Sequence, residues 1–150
     1  MHLPHDVVQL GILVKNVEET AKKFQEVMGI GPWEIFVPPF RDKTLHGEPE
    51  DFKYKVGLAR SGGIQVELME IISGKTIYDD FLKRKGYGIH HIGIATSDMD
   101  ESVKEMRKKG FTVDQSGNRP GVKFAYLDTE DKLGVIFEFI ERDWSFLRES

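Results

Sequence analysis

The same order of hydrophobic and polar positions occurs twice along the chain. Residues 7–20, VVQLGILVKNVEET, and residues 89–102, IHHIGIATSDMDES, match with an offset of 82 residues. In each copy a short alternating run, typical of a strand, precedes apolar positions spaced i, i+4, i+7, typical of one buried helix face. The pattern therefore predicts a strand followed by a helix at equivalent places in two halves of the chain.

The ends of both predicted helices carry matching signals. Asn16 and Asp98 precede the first apolar position and suit the N-cap, because a side-chain oxygen there accepts a free backbone N–H. A glutamate follows each cap by three residues, as in a capping box. Gly29 and Gly110 suit the C-terminal ends. The predicted buried stripes are Val17, Ala21 and Phe24 in the first helix, and Met99, Val103 and Met106 in the second.

A second pair of matching segments completes the two halves. IQVELMEII (64–72) is similar to VIFEFIERD (135–143), with an offset of 71 residues. KTIYDDFLKRKG (75–86) predicts a helix that links the halves. Further strands, bounded by Gly, Pro and Asp, are predicted at 33–38, 52–60, 111–114 and 122–127.

Together these elements predict an α+β fold made of two tandem βαβββ modules. The modules cover about residues 5–73 and 88–143, are joined by the helix at 75–86, and form a single domain over 1–150. Two copies of so long a repeat do not form a solenoid. We expect a curved, half-barrel-like mixed sheet around a metal cavity, with the helices outside. The polar interval 39–51 is predicted to be a flexible loop covering that cavity.

Composition narrows the classes of function. The charged fraction of 31% and the net charge of −4 indicate a globular protein without general affinity for nucleic acid or anionic membranes. The absence of cysteine excludes disulfides, cysteine nucleophiles and thiolate metal sites. Residues 1–10 lack the features of a signal peptide, and no apolar run approaches the length that spans a bilayer. A cytoplasmic location is therefore predicted.

Two glutamates interrupt otherwise apolar strands. Glu67 and Glu138 each have apolar residues on both sides. Because side chains alternate across a strand, both carboxylates face the cavity if their apolar neighbours face the helices. A lone buried carboxylate is costly, and a cation is the simplest compensation. Glu70 and Glu141, on the opposite face near the strand ends, are predicted to be solvated.

The duplicated first strands add two candidate metal ligands. Gln9 and His91 are equivalent in the repeat, which is expected to bring them together with Glu67 and Glu138 around one pseudo-twofold axis. With one or two waters, these side chains supply five or six ligands for one divalent ion. The donor set suits Mg, Mn, Fe(II), Co, Ni or Zn with open positions for chemistry. The alternative is that His91 is a hydrogen-bonded core histidine and Gln9 a hydrogen-bonding residue of the cavity.

Over nearly its whole length the chain resembles the vicinal oxygen chelate superfamily, which includes glyoxalase I, methylmalonyl-CoA epimerase and extradiol dioxygenases. The matching segments are QLGILVKNVEE, HHIGIATSDMDE, VELME and LDTEDKLGVIFEFIE. By this resemblance Gln9, Glu67, His91 and Glu138 take the family's metal positions, as a set similar to that of glyoxalase. The helix leading into GIHHIGIA is more similar to the single-chain epimerases. LDTEDKLG departs from their His-Pro-Lys type turn, and nothing in 39–51 matches their catalytic loop.

The resemblance implies a metal-dependent enzyme that abstracts a proton next to a carbonyl, as an epimerase, isomerase or lyase. Its substrate would be a small carbonyl compound or thioester, with Glu138 as the first base and Glu67 as its partner. The alternatives are a glyoxalase I-type lactoylglutathione lyase, an Fe(II) extradiol dioxygenase, and a non-enzymatic binding protein of the bleomycin-resistance kind. A dioxygenase normally uses two histidines and one carboxylate, and Gln9 takes the place of one of those histidines.

Three further residues are candidate substrate contacts. Trp33 either stacks on a substrate or plugs the core, and Lys123 and Tyr126 either meet an anionic group or form a solvated strand face. His90, on the opposite strand face from His91, is predicted to be a hydrogen-bonded core histidine or partly exposed. The same modules pair within one chain or exchange across a homodimer, and the sequence is compatible with both arrangements.

Overall fold

The computed structural model describes residues 5–148, so the first four and last two residues of the predicted domain lie outside the described part. This part forms one ten-stranded mixed sheet with four helices and a C-terminal 3-10 turn. The strands are β1 (Val7–Leu13), β2 (Glu34–Phe36), β3 (Arg41–Leu45), β4 (Glu48–Pro49), β5 (Lys53–Ser61), β6 (Ile64–Ser73), β7 (Gly88–Ala95), β8 (Val113–Arg119), β9 (Val122–Leu127) and β10 (Ile136–Glu141). The helices are α1 (Val17–Met28), α2 (Ile77–Lys85), α3 (Met99–Lys108) and α4 (Glu130–Leu133), and the turn is Ser145–Arg148.

The strand order shows the two halves side by side. It runs β2-β5-β6-β1-β7-β10-β9-β8-β3-β4. The pairs β1/β6 and β7/β10 are parallel, and β1 pairs antiparallel with β7 at the centre. The predicted α+β half-barrel built from two similar halves is confirmed. The module limits near 5–73 and 88–143 remain predictions.

Each half packs one helix on the outer face of the sheet. The buried side of α1 contacts Leu68 of β6, and that of α3 contacts Phe139 of β10. The apolar neighbours of the two strand glutamates therefore face the helices, as alternation requires. The helix residues in these clusters are the predicted stripes, Val17, Ala21 and Phe24, and Met99, Val103 and Met106.

The predicted N-caps of α1 and α3 are present. Asn16 Oδ1 accepts the backbone N–H of Glu19 at 3.0 Å, and Asp98 Oδ1 accepts that of Glu101 at 3.1 Å. These bonds satisfy one free donor at each helix start. The left-handed glycines at the two C-terminal ends are those predicted, Gly29 (φ 69°) and Gly110 (φ 91°).

Carboxylates from the sheet accept hydrogen bonds from the first N–H of α1 and of α3. Glu70 Oε1 accepts the N–H of Val17 at 2.9 Å, and Glu141 Oε1 accepts that of Met99 at 2.7 Å. The prediction that Glu70 and Glu141 are solvated is therefore wrong. Both residues lie near strand ends beside a helix N-terminus, whose free donors and positive dipole attract a carboxylate.

Replacing Glu141 with alanine is expected to lower the free energy of unfolding by about 1 kcal/mol. The N–H of Met99 loses its acceptor, and the start of α3 loses a negative charge. Urea denaturation measures the change. The control is Glu105→Ala, an exposed glutamate of α3 whose side chain makes no hydrogen bond or ion pair within residues 5–148. Equal losses in the two variants would show that this cap contributes nothing.

Residues 39–51 are not the flexible loop that their polarity predicted. β3 and β4 form a hairpin, and β3 pairs antiparallel with β8 of the other half. Lys43 Nζ donates to Asp51 Oδ1 at 3.1 Å and to the carbonyl of Phe52. The hairpin lies at the sheet edge, where its side chains are largely exposed, so its sequence has no apolar alternation to reveal it.

The other predicted elements occur with shifted ends. The strand expected at 33–38 is shortened to β2, and that expected at 111–114 begins later and extends further as β8. The linking helix is α2, whose N-cap Thr76 forms a capping box with Asp79. Within residues 5–148, none of the helices combines the length and hydrophobicity needed to cross a bilayer.

Candidate metal centre

Four polar side chains converge on the concave face. Four adjacent strands of the sheet supply them, with Gln9 on β1, Glu67 on β6, His91 on β7 and Glu138 on β10. His91 Nε2 lies 2.8 Å from Gln9 Oε1, 3.1 Å from Glu138 Oε1 and 3.5 Å from Glu67 Oε1. The structure thus brings together all four residues predicted as ligands, and we call them the four-residue cluster.

Two glycines make room for this convergence. Gly11 pairs with His91 on one side and Glu67 on the other, and Gly93 takes the equivalent place in the second half. A Cβ at Gly93 would lie 2.6 Å from the Cβ of Gln9, and one at Gly11 would collide with the His91 ring. The space that the glycines leave is therefore occupied by the side chains of the cluster.

Burial determines the protonation of the cluster in the metal-free protein. Loss of hydration raises the pKa of Glu138 to about 8. Burial and the nearby negative charge of Glu138 raise the pKa of Glu67 well above its usual value. Burial also lowers the pKa of His91 to about 3. Near neutral pH the imidazole is therefore uncharged, and Glu138 holds a proton that a cation can replace.

The donor atoms fit a divalent cation. Gln9 Nε2 donates to Gln65 Oε1 at 2.9 Å, which turns its Oε1 towards His91 Nε2. The cluster therefore presents one imidazole nitrogen and three oxygens, a set that suits Mg, Mn, Fe(II), Co, Ni or Zn. Two carboxylates also balance the charge of such an ion, since Gln9 and neutral His91 add none.

His90 contacts the Nδ1 side of the His91 ring, a contact that alternation along the strand did not predict. The β1–β7 pairing shifts by one residue between the pairs Gly11/His91 and Ile12/Ile89, so His90 is the extra residue of a β-bulge. Its Nδ1 lies 3.0 Å from His91 Nδ1. If His91 Nε2 held a cation, the ring proton would lie on Nδ1, within hydrogen-bond distance of His90 Nδ1. His90 is therefore in a position to orient the His91 ring, a contact that the sequence does not reveal until the bulge is known.

Replacing His90 with phenylalanine is expected to weaken divalent-metal binding by about 10- to 100-fold, because His91 loses the acceptor that orients its ring. Competition against a chromogenic chelator measures the affinity. The control is Phe81→Leu, which alters packing on the same ring, at 4.8 Å between centroids, and keeps the acceptor. Wild-type affinity in the His90 variant would show that His90 does not orient the ligand.

Tyr126 is the one predicted substrate contact that lies near the cluster. It pairs with Glu138 across β9 and β10, is buried, and its hydroxyl lies 2.8 Å from that of Tyr78. The alternative of a solvated face is wrong for Tyr126, because its strand lies inside the sheet and α2 covers this end of the concave face.

Lys123 and Trp33 lie on the helix side of the sheet, away from the cluster. Lys123 is three residues from Tyr126 on the same strand, so it points to the opposite face, where it is exposed beside α3. Trp33 packs edge-on against Phe24 of α1 and donates its Nε1–H to the carbonyl of Ile30. Neither residue reaches the cavity, and Trp33 instead helps to fill the core under α1.

The cluster borders a narrow cavity of about 50 Å³. This volume holds a cation with one or two waters, since one water takes about 30 Å³ of liquid. Its apolar lining includes Phe36, Phe40, Tyr54, Val56, Leu58 and Trp144.

Comparison with known proteins identifies related sequences. The family model of the Glyoxalase/Bleomycin resistance protein/Dioxygenase superfamily matches residues 8–126. The uncharacterized protein YqjC of Bacillus subtilis (strain 168) is 24% identical over 136 residues, which cover 88% of this chain and 89% of that protein.

Three solved structures are similar over almost the whole chain. Hypothetical protein BH1468 from Bacillus halodurans C-125 has a TM-score of 0.67 and 22% identity, covering 93% of this chain and 95% of its own. A methylmalonyl-CoA epimerase in complex with methylmalonyl-CoA and ammonium has a TM-score of 0.65 and 22% identity, covering 94% and 96%. A Streptomyces coelicolor methylmalonyl-CoA epimerase variant in complex with 2-nitronate-propionyl-CoA has a TM-score of 0.66 and 21% identity, also covering 94% and 96%. At these identities the similarity is one of fold.

Proposed function

Because the chain belongs to the glyoxalase/bleomycin resistance protein/dioxygenase superfamily, we propose that it is a divalent-metal-dependent enzyme that abstracts a proton next to a carbonyl. One observation carries the proposal. Glu67 and Glu138, from opposite halves of the sheet, place carboxylate oxygens 3.5 and 3.1 Å from the same nitrogen of His91. The reaction that we favour is epimerisation or isomerisation of a small carbonyl compound or thioester.

The four-residue cluster would hold the ion through Gln9 Oε1, His91 Nε2 and the two carboxylates. When bound, a divalent cation supplies Lewis-acid stabilisation of negative charge on a substrate oxygen. The chain contributes orientation, because Gln65 directs the Gln9 oxygen and His90 directs the His91 nitrogen. The apolar lining excludes bulk water from the reacting atoms.

Glu138 is the proposed first base, with Glu67 as its partner. A carboxylate with little hydration is a stronger base than one in water, and both residues border the apolar cavity. Since they belong to opposite halves, they can approach a substrate from two faces. One side chain, as the carboxylate, then removes the proton, and the other, after taking a proton from solvent, delivers it to the same carbon from the opposite face.

A glyoxalase I-type lyase is the second candidate, favoured by the Gln9 oxygen facing His91 Nε2 at 2.8 Å. That donor set resembles the one used in the glyoxalase class. An Fe(II) extradiol dioxygenase is disfavoured, because the cluster contains one histidine where that chemistry normally uses two. A purely binding protein of the bleomycin-resistance kind has no use for two buried carboxylates beside an imidazole.

Hydrogen–deuterium exchange tests the proposal before any product is known. The protein is loaded with Co, Ni, Zn, Mn or Mg in deuterium oxide and given α-acidic carbonyl compounds, including methylmalonyl-CoA and the methylglyoxal–glutathione adduct. We expect deuterium next to the carbonyl only when metal is present, followed by loss of exchange with a chelator and recovery with metal. Formation of lactoylglutathione would favour the lyase. Absence of exchange with every metal and compound would contradict proton abstraction.

A further inference from the structure

Two arginines lie at the mouth of the cavity that borders the four-residue cluster. Arg119 ends β8 and pairs with Val122. Arg142 directly follows β10, whose last residue, Glu141, pairs with Lys123. The two arginines therefore flank the same end of β9 from its two sides. Both line the cavity together with the cluster carboxylates.

Neither guanidinium has a carboxylate partner within residues 5–148. Arg119 Nε is buried and has no hydrogen-bond acceptor, and Arg142 Nε donates to the carbonyl of Asp143 at 3.1 Å. Burial and the positive charge of Arg119 lower the pKa of Arg142, while Asp143 and Glu34 act in the opposite direction. Adjacent guanidiniums with an unused buried donor are typical of a site that an anion completes.

Both guanidiniums lie over aromatic rings. The distances from Cζ to ring centroids are 5.9 and 5.8 Å from Arg119 to Phe36 and Phe40, and 5.1 and 4.8 Å from Arg142 to Trp144 and Phe146. A guanidinium held over aromatic rings keeps N–H groups at its edge for a planar or tetrahedral oxyanion. The side chains are thus oriented without the ion pairs that would otherwise occupy them.

The strand geometry limits which anions reach both sites. Arg142 lies just beyond β10 and four residues after Glu138, a separation of about 13 Å along an extended backbone. Ile140 and Phe124 line the cavity between them and are apolar. A ligand that reaches from the arginines to the cluster carboxylates has a carbonyl at one end, an apolar middle and an oxyanion at the other end.

We propose that Arg119 and Arg142 bind a carboxylate or phosphate of the substrate while its reacting carbonyl lies at the four-residue cluster. This inference rests on the proposed function and narrows its substrate class to anionic α-acidic carbonyl compounds. The oxyanion belongs either to the acyl group itself, as a carboxylate, or to a phosphorylated carrier attached to it. The two arginines then set specificity, and the cluster performs the chemistry.

The test measures anion binding directly, without turnover. Chelator-treated protein at low ionic strength is titrated in a calorimeter with glutarate, inorganic phosphate and neutral dimethyl glutarate. We expect the anions to bind and the neutral ester not to bind. Arg119→Gln and Arg142→Gln should each weaken anion binding by about 10- to 100-fold, as expected for loss of charged hydrogen bonds. Tighter binding of glutarate would indicate an acyl carboxylate, and tighter binding of phosphate a carrier phosphate.

Two further variants keep the test decisive. Arg142→Lys retains the charge and the aliphatic stem, so it should fold like the wild type and still weaken binding by losing the planar donors. Lys123→Gln removes an exposed cation from the opposite sheet face and should leave anion affinity unchanged. Equal anion affinity in the wild type and all arginine variants, or no anion binding, would overturn the inference. Exchange activity without anion binding would refute this inference alone. Anion binding without exchange would refute the proposed function and leave an anion site that has no part in proton abstraction.

Discussion

Replacing Glu138 with glutamine is expected to lower the rate of metal-dependent deuterium exchange next to the carbonyl by about 10²- to 10⁴-fold. Glutamine keeps the size of the side chain and an oxygen directed at His91 Nε2, which lies 3.1 Å away in the wild type. An amide oxygen is a far weaker base than a carboxylate, so the proton of the substrate has no acceptor. The rate is measured by NMR on protein whose metal content has been verified.

Glu67→Gln should separate the two proposed bases. If Glu138 removes the first proton, this variant still exchanges the proton on one substrate face but no longer inverts the carbon. Glu105→Gln, on the exposed side of α3, is the matched control and should change neither rate. Wild-type exchange in metal-loaded Glu138→Gln would exclude Glu138 as the base. Complete loss of exchange in Glu67→Gln alone would reverse the two roles.

The second large effect concerns the stability of the metal-free protein, which should decrease as pH rises towards 8. Burial raises the pKa of Glu138 from its usual 4.5 to about 8. Between these values the folded state holds a proton that the unfolded chain releases, so stability is complete below pH 4.5 and declines up to about pH 8. Glu67, whose pKa is also raised, acts in the same direction.

His91 has the opposite dependence in a lower pH range. Folding lowers the pKa of His91 from 6.5 to about 3. Between these values His91 is protonated in the unfolded chain and neutral in the folded protein. Stability from this group is present above pH 6.5 and is lost as pH falls towards 3. The interval from pH 6.5 to 8 therefore reports mainly the carboxyl groups of the cluster, because most of the His91 contribution lies at lower pH.

Saturating divalent metal should remove this decline, because the cation replaces the protons on the carboxyl groups. At a metal concentration of 1,000 times Kd, binding adds about 4 kcal/mol to the free energy of unfolding. Urea denaturation at pH 6.5 and 8, with and without metal, measures both effects. Metal-free Glu138→Gln, which lacks one titrating group, should decline less than the wild type. Equal stability of the metal-free wild type at pH 6.5 and 8 would contradict the raised pKa values.

The repeated pattern was sufficient to predict the half-barrel, the buried helix stripes and the faces of Glu67 and Glu138. All of these depend on side-chain direction within one strand or helix, which periodicity encodes directly. The grouping of Gln9 and His91 with the two glutamates also followed, because equivalent positions of two similar halves meet near a pseudo-twofold axis. Gly11 and Gly93 belong to the same pattern, although only their strand partners explain why glycine is needed there.

Contacts between distant segments were decided by the tertiary structure alone. The hairpin within 39–51 exists because β8 offers a free edge, and Glu70 and Glu141 cap helices because strand ends lie beside helix N-termini. His90 is a buried, hydrogen-bonded histidine as predicted, but only the bulge explains why its partner is His91. Strand neighbours also brought together two arginines that are far apart in the sequence. Local periodicity specifies which way a side chain points, but pairing across the sheet specifies what it meets.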